Sequence, residues 1–186
     1  MNSLLLTKFP KATIPPFMKQ YTPEMMKAHL DEQGFEYSFH EHPAVYTADE
    51  AAVHTSHLVG GHCKNLFVKD KKSKMWLITV SDETRVDLKA LGKMLGAKSN
   101  LSFANEERLD QYLGVKPGSV TPLSLIHDTE GEVTAIIEEK LTQHDVIYVH
   151  PLINTMTVGL KTTDLMKFYD SVGGVTVMEL PERDMS

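Results

Sequence analysis

Gly60-Gly61-His62-Cys63-Lys64-Asn65-Leu66-Phe67-Val68-Lys69-Asp70 is the stretch on which the fold turns. The glycine pair frees the backbone for close approach to a ligand. Leu66-Phe67-Val68 reads as a buried strand. Lys64 stands at the mouth of that strand. An ammonium group is costly to bury alone, so it reaches solvent or finds a partner. An anionic or carbonyl group in a pocket is the expected partner.

Working outward, the basic turn Lys71-Lys72-Ser73-Lys74 joins this strand to a second one over 75–81, which makes a hairpin. Upstream, Thr22 caps a helix with Pro23 at its first position and Gly34 as its stop. A strand follows over 35–40, and His42-Pro43 breaks it. Thr47 and Glu50 form a capping box for a second helix. Downstream, helices are expected over 86–95 and, capped by Asn105, over 106–113. Strands are expected over 101–104, 120–126, 133–138 and 146–149. A last helix begins at Thr162 or Thr163, and a final strand covers 175–177. Hairpins mixed with helix-separated strands argue an α+β domain with a mixed, mostly antiparallel sheet flanked by helices. The domain spans 22–180, between an extended proline-bearing arm (1–21) and a short tail (181–186).

A chain of 186 residues is long enough for one sizeable core. No apolar run approaches the roughly 20 residues that span a bilayer, and no signal-peptide pattern opens the chain. With one cysteine, Cys63, there is no internal disulfide, and the chain reads as cytoplasmic. The net charge of −6, taken alone, argues against nucleic acid, and DNA is not an expected partner. Its distribution is uneven: residues 64–98 hold nine basic and four acidic residues. That segment is either a phosphate-binding face or a solvated hairpin tip beside an ordinary helix face.

Two further stretches carry candidate chemistry. Gly114-Val115-Lys116-Pro117-Gly118-Ser119-Val120-Thr121-Pro122 is a tightly turned loop whose backbone N–H groups can hold a phosphate or an oxyanion. The bland alternative is a plain connection. His150-Pro151-Leu152-Ile153-Asn154-Thr155 follows a strand. It offers a histidine that can carry or donate a proton, and neutral hydrogen bonding from Asn154. The bland alternative is a turn before the last helix. His54, His57, His62 and Cys63 lie near one another in sequence, but show no metal-site spacing, so no metal and no cofactor is expected. No nucleophile signature, P-loop or dinucleotide fingerprint is present.

These stretches, in this order, resemble the YbaK/prolyl-tRNA synthetase insertion-domain family, and its free-standing prolyl-tRNA editing branch in particular. The matching segments are His42-Pro43-Ala44-Val45-Tyr46-Thr47 with Glu50-Ala51, the 64–70 strand, the 114–123 loop and the HPLIN segment at 150–154. The resemblance covers about residues 22–180. It implies a partly barrel-like sheet and hydrolysis of the aminoacyl ester of a mischarged tRNA, alanine on the proline tRNA foremost. A non-catalytic module that binds tRNA or a synthetase is the alternative. The resemblance implies catalytic roles for Lys64 and His150, and substrate-binding roles for Thr47, Asn65, Gly118, Ser119 and Asn154. The implied partners are a tRNA acceptor end and an aminoacyl-tRNA synthetase, with no membrane. Ser124, His127, Met156 and Val158 depart from the family pattern and bear on amino-acid specificity.

Overall fold

The computed structural model describes residues 21–183. The expected arm falls outside the described residues except for Tyr21, and so do residues 184–186. Helix α1 (Pro23–Glu32) begins as expected, with the Thr22 hydroxyl accepting from the Met25 N–H. Strand β1 (Tyr37–Glu41) leads to helix α2 (Ala48–Thr55). Strands β2 (Gly61–Lys69) and β3 (Met75–Ser81) form the predicted hairpin. Helix α3 (Leu88–Met94), the two-residue strand β4 (Ser102–Phe103) and the helical turn α4 (Glu106–Arg108) follow. α4 continues as a π-helical turn, Leu109–Leu113, which ends at Gly114. After the glycine-rich loop come β5 (Val133–Glu138), β6 (Val146–Val149), β7 (Met156–Lys161), α5 (Thr162–Ser171) and β8 (Thr176–Met178).

The sheet runs β1-β7-β6-β2-β3-β5-β8, with β4 also on β2. Pairings β2–β6, β3–β5 and β5–β8 are parallel, and the other four are antiparallel. α1 and α5 cover one face through Met26, Leu30, Leu165 and Phe168. α3 covers part of the other through Leu91, against Val68, Trp76, Ile78 and Val80. No helix among the described residues is long and apolar enough to cross a membrane.

Strand β2 positions everything that follows. One of its edges carries β3 along its length. On the other edge it pairs with β6 only at Gly61 and His62, and with β4 only at Val68 and Lys69, while its Phe67 carbonyl accepts from the Ala104 N–H. Residues 63–66 therefore face a gap in the sheet on that side. The glycine pair explains the approach to β6. A Cβ on Gly60 would lie 2.6 Å from the Val146 carbonyl oxygen, and one on Gly61 would lie 2.9 Å from the His144 ring. The glycines thus admit a neighbouring strand, where a ligand was expected.

Two elements differ from the sequence expectation. Residues 122–127 form a 3-10 helix, Pro122–His127, and no strand. Pro122 has no N–H for a sheet ladder, and the Thr121 hydroxyl accepts from the Leu123 N–H as a cap. Strand β7 was not expected. It begins within the turn after His150, and its Gly159 fits under Tyr148 and Ser38, whose atoms would lie within 2.7 Å of a Cβ there.

The hairpin tip is held by one carboxylate. Asp70 accepts from the N–H groups of Lys72, Lys74 and Lys98 at 2.8, 3.1 and 2.9 Å. The Lys98 bond foremost, then those of Lys74 and Lys72, hold its carboxyl below the usual carboxylate range. The ionised form is thus favoured by folding. Its contribution is complete above the unfolded value near 3.9 and is lost as pH falls through the lower folded value. Asp70→Asn is expected to lower Tm at neutral pH, with the gap to the unaltered protein closing below about pH 3.9. Thermal denaturation across pH 2–7 measures this; a gap that stays constant with pH contradicts it.

Candidate functional site

The gap beside residues 63–66 opens on a cleft of about 200 Å³. Its walls are Cys63, Lys64 and Asn65 from β2, Val45 to Thr47 ahead of α2, Gly118 and Val120 from the loop, and His150. A recess of about 40 Å³ adjoins it, sharing Cys63, Asn65 and His150 and reaching Thr55 and Thr157. Of the seven residues singled out in the sequence, Thr47, Lys64, Asn65, Gly118 and His150 face this one cleft. Ser119 and Asn154 stand behind its wall.

Lys64 and Asn65 are adjacent in sequence but on opposite faces of β2, because successive strand residues alternate. Lys64 shares its face with Leu66 and Val68, and its Nζ donates to the Asp82 carbonyl at 2.7 Å. That satisfies one of three ammonium donors and leaves two. Asn65 shares its face with Cys63 and Phe67. Its Oδ1 accepts from the Thr79 hydroxyl at 2.8 Å, and that hydroxyl lies 2.8 Å from the Tyr169 hydroxyl. With the Thr79 proton committed to Asn65, Tyr169 is the donor to Thr79. Burial pushes the Tyr169 phenol well above its ordinary value, so it stays protonated. This chain of bonds fixes the Asn65 amide, whose NH₂ donates one hydrogen to the Cys63 sulfur at 4.0 Å in the cleft wall.

Cys63 donates its thiol hydrogen to the Tyr148 carbonyl at 3.2 Å. Burial pushes its pKa up to about 12. A thiol held protonated is a poor nucleophile.

His150 donates from Nδ1 to the Met156 carbonyl at 2.9 Å, which leaves Nε2 as an acceptor. Burial lowers the pKa of its ring, and nearby His42 acts in the same direction. The His42 ring lies 6.3 Å from it and stacks on His54 at 5.8 Å. His42 bonds the Pro43 carbonyl and the Thr157 hydroxyl at 2.8 and 2.9 Å. His62 stacks on Tyr148 at 5.0 Å and bonds the Leu58 carbonyl. Among the described residues, no three His, Cys, Asp or Glu side chains converge as metal ligands would.

The two flanking loops are tied to each other. The Asn154 amide donates to the Val45 carbonyl at 2.8 Å, and the Val45 N–H donates to the Asn154 carbonyl at 3.1 Å. Leu152, inside that turn, holds φ at +69°, a left-handed conformation uncommon outside glycine. Gly118 has φ +86°, and a Cβ there would meet Tyr46 at 3.1 Å. The Ser119 N–H closes a turn on the Lys116 carbonyl at 3.0 Å. It is therefore spent within the loop. The Gly118 N–H has no partner among the described residues. Thr47 caps α2 by accepting from the Glu50 N–H at 3.2 Å, while the Glu50 carboxylate accepts from the Tyr46 N–H. The capping box thus closes one residue earlier than the usual form.

The description "Aminoacyl-tRNA editing domain" matches residues 42–168. The chain belongs to the aminoacyl-tRNA editing domain family. Relatives in this family include prolyl-tRNA synthetase associated domain-containing protein 1 of Mus musculus, 42% identical over 137 residues, 72% of this chain and 80% of that one. The prolyl-tRNA editing protein ProX of Acetoanaerobium sticklandii is 35% identical over 147 residues, 78% of this chain and 89% of that one. A solved structure of a candidate trans-editing enzyme for prolyl tRNA synthetase superposes with TM-score 0.68 at 24% identity, over 92% of this chain and 100% of that one. That last likeness concerns the fold.

Within this editing domain, the residues that depart from the family pattern lie off the cleft wall. Ser124 is fully buried and donates to the Thr121 carbonyl. His127 lies beneath Gly114 and accepts from the Tyr21 N–H at Nε2. Val158 is fully buried in the core, and Met156 offers its carbonyl to His150. Sequence reading passed over His42, Tyr46, Cys63 and Thr157 as wall or support residues. His42-Pro43 directly after β1 was the available signal, since it resembles the later His150-Pro151 pair. The half-buried His150 is expected to titrate below the ordinary imidazole value of about 6.5 and to keep its proton on Nδ1. Nitrogen chemical shifts followed through a pH titration report both. A midpoint above the ordinary value, or a proton on Nε2, contradicts this geometry.

Proposed function

We propose that this chain is a trans-editing aminoacyl-tRNA deacylase that hydrolyses the ester of a mischarged tRNA, with alanine on the proline tRNA as substrate. The supporting observation is the convergence of β2, the 45–47 segment, the Gly118 loop and His150 on one cleft at a break in the sheet. The relatives named for prolyl-tRNA editing and prolyl-tRNA synthetase association support the choice of tRNA. The small recess beside His150 supports a short amino-acid side chain.

An aminoacyl ester is already activated, so positioning and charge stabilisation carry the reaction. The water oxygen bonds the carbonyl carbon, the bond from that carbon to the ribose oxygen breaks, and the ribose oxygen leaves with a proton. Lys64 directs its two remaining donors to the terminal phosphate or the scissile carbonyl. The Gly118 N–H and the Asn65 amide donate to the oxygen that gains charge. His150 accepts through Nε2 from the attacking water or the neighbouring ribose hydroxyl. Thr47 contributes its hydroxyl hydrogen at the rim. Ser119 and Asn154 act on substrate through the loops they fix. The neutral thiol of Cys63 takes no covalent part. Proline is rejected by the size of the recess, since a clash excludes where a missing contact discriminates only modestly.

Deacylation of alanyl-, cysteinyl- and seryl-charged proline tRNA, with Lys64→Ala alongside, tests the proposal. Hydrolysis of the alanyl ester is expected, with a loss of about 10²-fold or more in Lys64→Ala, the usual scale for one electrostatic donor. If every ester survives the unaltered protein, the enzyme reading falls. Salt-sensitive tRNA affinity without turnover would establish a binding module in its place.

A further inference from the structure

The face of β2 that bears Lys64 continues away from the cleft as a second groove, of about 350 Å³. Leu66, Val86 and Leu88 form its floor, and Lys64, Arg85 and Arg183 are its cations. No carboxylate is among its lining residues. Arg85 and Arg183 are brought together by the backbone, where the Arg183 N–H donates to the Arg85 carbonyl at 2.8 Å and Val86 bridges Glu182. Asp87, the acidic residue next along, accepts from the Lys89 and Ala90 N–H groups at the start of α3 through one oxygen, and the Arg183 charge acts on the same carboxylate. At the far end stands Phe103, which is 61% exposed. It pairs with Val68 across β4–β2, which puts it on the same face as Lys64 and Leu66.

We propose that this groove binds the unpaired nucleotides immediately upstream of the tRNA's terminal adenosine, with their phosphates on Arg85 and Arg183 and a base stacked on Phe103. The proposal rests on the deacylase reading for the direction of the strand. Lys64 borders both depressions, so a strand whose last residue enters the cleft passes Lys64 into the groove. From Lys64 to Val68 is about 13 Å at ~3.3 Å per strand residue. That is roughly four steps of stacked bases at ~3.4 Å each. Cations along a groove with an exposed ring form the usual receptor for single-stranded nucleic acid.

Phe103→Ala and the double variant Arg85→Glu/Arg183→Glu test the groove in two ways. The first is binding of a fluorescein-labelled ACCA oligoribonucleotide, by anisotropy across salt concentrations. Phe103→Ala is expected to raise Kd about ten-fold, within the range for one base–aromatic stack. The double variant is expected to flatten the salt slope by about 0.7 per lost phosphate contact. The second is kcat/KM on alanyl-tRNA against 3′-alanyl-adenosine, which lacks the upstream nucleotides. Loss is expected on the tRNA through KM, with the small ester hydrolysed at the unaltered rate. Equal oligonucleotide binding by all forms overturns the proposal, as does an equal loss on both esters. If the unaltered protein hydrolyses neither ester yet the oligonucleotide effects hold, the deacylase reading fails and the groove stands.

Discussion

The hydrogen-bonding edge of β2 is the constraint on which the rest depends. It is paired with β6 for two residues, left open for four, and closed again from Phe67 onward by Ala104 and β4. An unpaired strand edge buried in a protein leaves backbone groups without partners, so the chain must bring something else to it. Here the 45–47 segment and the Gly118 loop come to the opening, and a substrate-sized space remains between them. The close contact at Gly60 and Gly61 sets where the opening begins. A side chain at Gly60 would push β6 away and shift the mouth of the cleft, and one at Gly61 would press on His144 and Leu141 just ahead of β6.

Around that opening the donors are fixed from behind. The Asn65 amide is oriented by Thr79 and Tyr169, His150 by the Met156 carbonyl, and the 45–47 segment by Asn154. Asn65, His150 and the 45–47 segment thus each take their orientation from a partner outside the cleft lining. Such preorganisation lets dipoles stabilise developing charge without rearranging as it forms.

Local signals in the sequence accounted for the Thr22 and Thr47 caps, the β2–β3 hairpin, the Asn105 cap and β5. Each rests on residues a few positions apart. The 3-10 helix at Pro122–His127 was misread because its apolar run resembles a strand, although Pro122 and the Thr121 cap both argued otherwise. Strand β7 was missed because its glycine is dictated by Tyr148 and Ser38, which no local pattern reveals. Three of the site's segments were legible as motifs, yet their meeting depends on the β6–β2–β3 order, which is nonlocal. The division of Lys64 from Asn65 onto opposite faces was implicit in strand alternation. It becomes consequential because Lys64 borders the second groove as well as the cleft, whereas Asn65 does not.

The protonated Cys63 has a bearing on how the molecule ages chemically. Peroxides and alkylating agents attack thiolates, and the chain's single sulfhydryl is half-buried, bonded to a carbonyl and held far from ionisation. A cysteine in the wall of a reactive-looking cleft would ordinarily be the point at which oxidants inactivate a protein. Here it is a small, inert filler, and the cleft's polar groups are an amide, an imidazole, an amine and backbone N–H groups, none of which cycles through redox states. Oxidants that spread through the surrounding thiol pool thus meet no thiolate in this cleft wall.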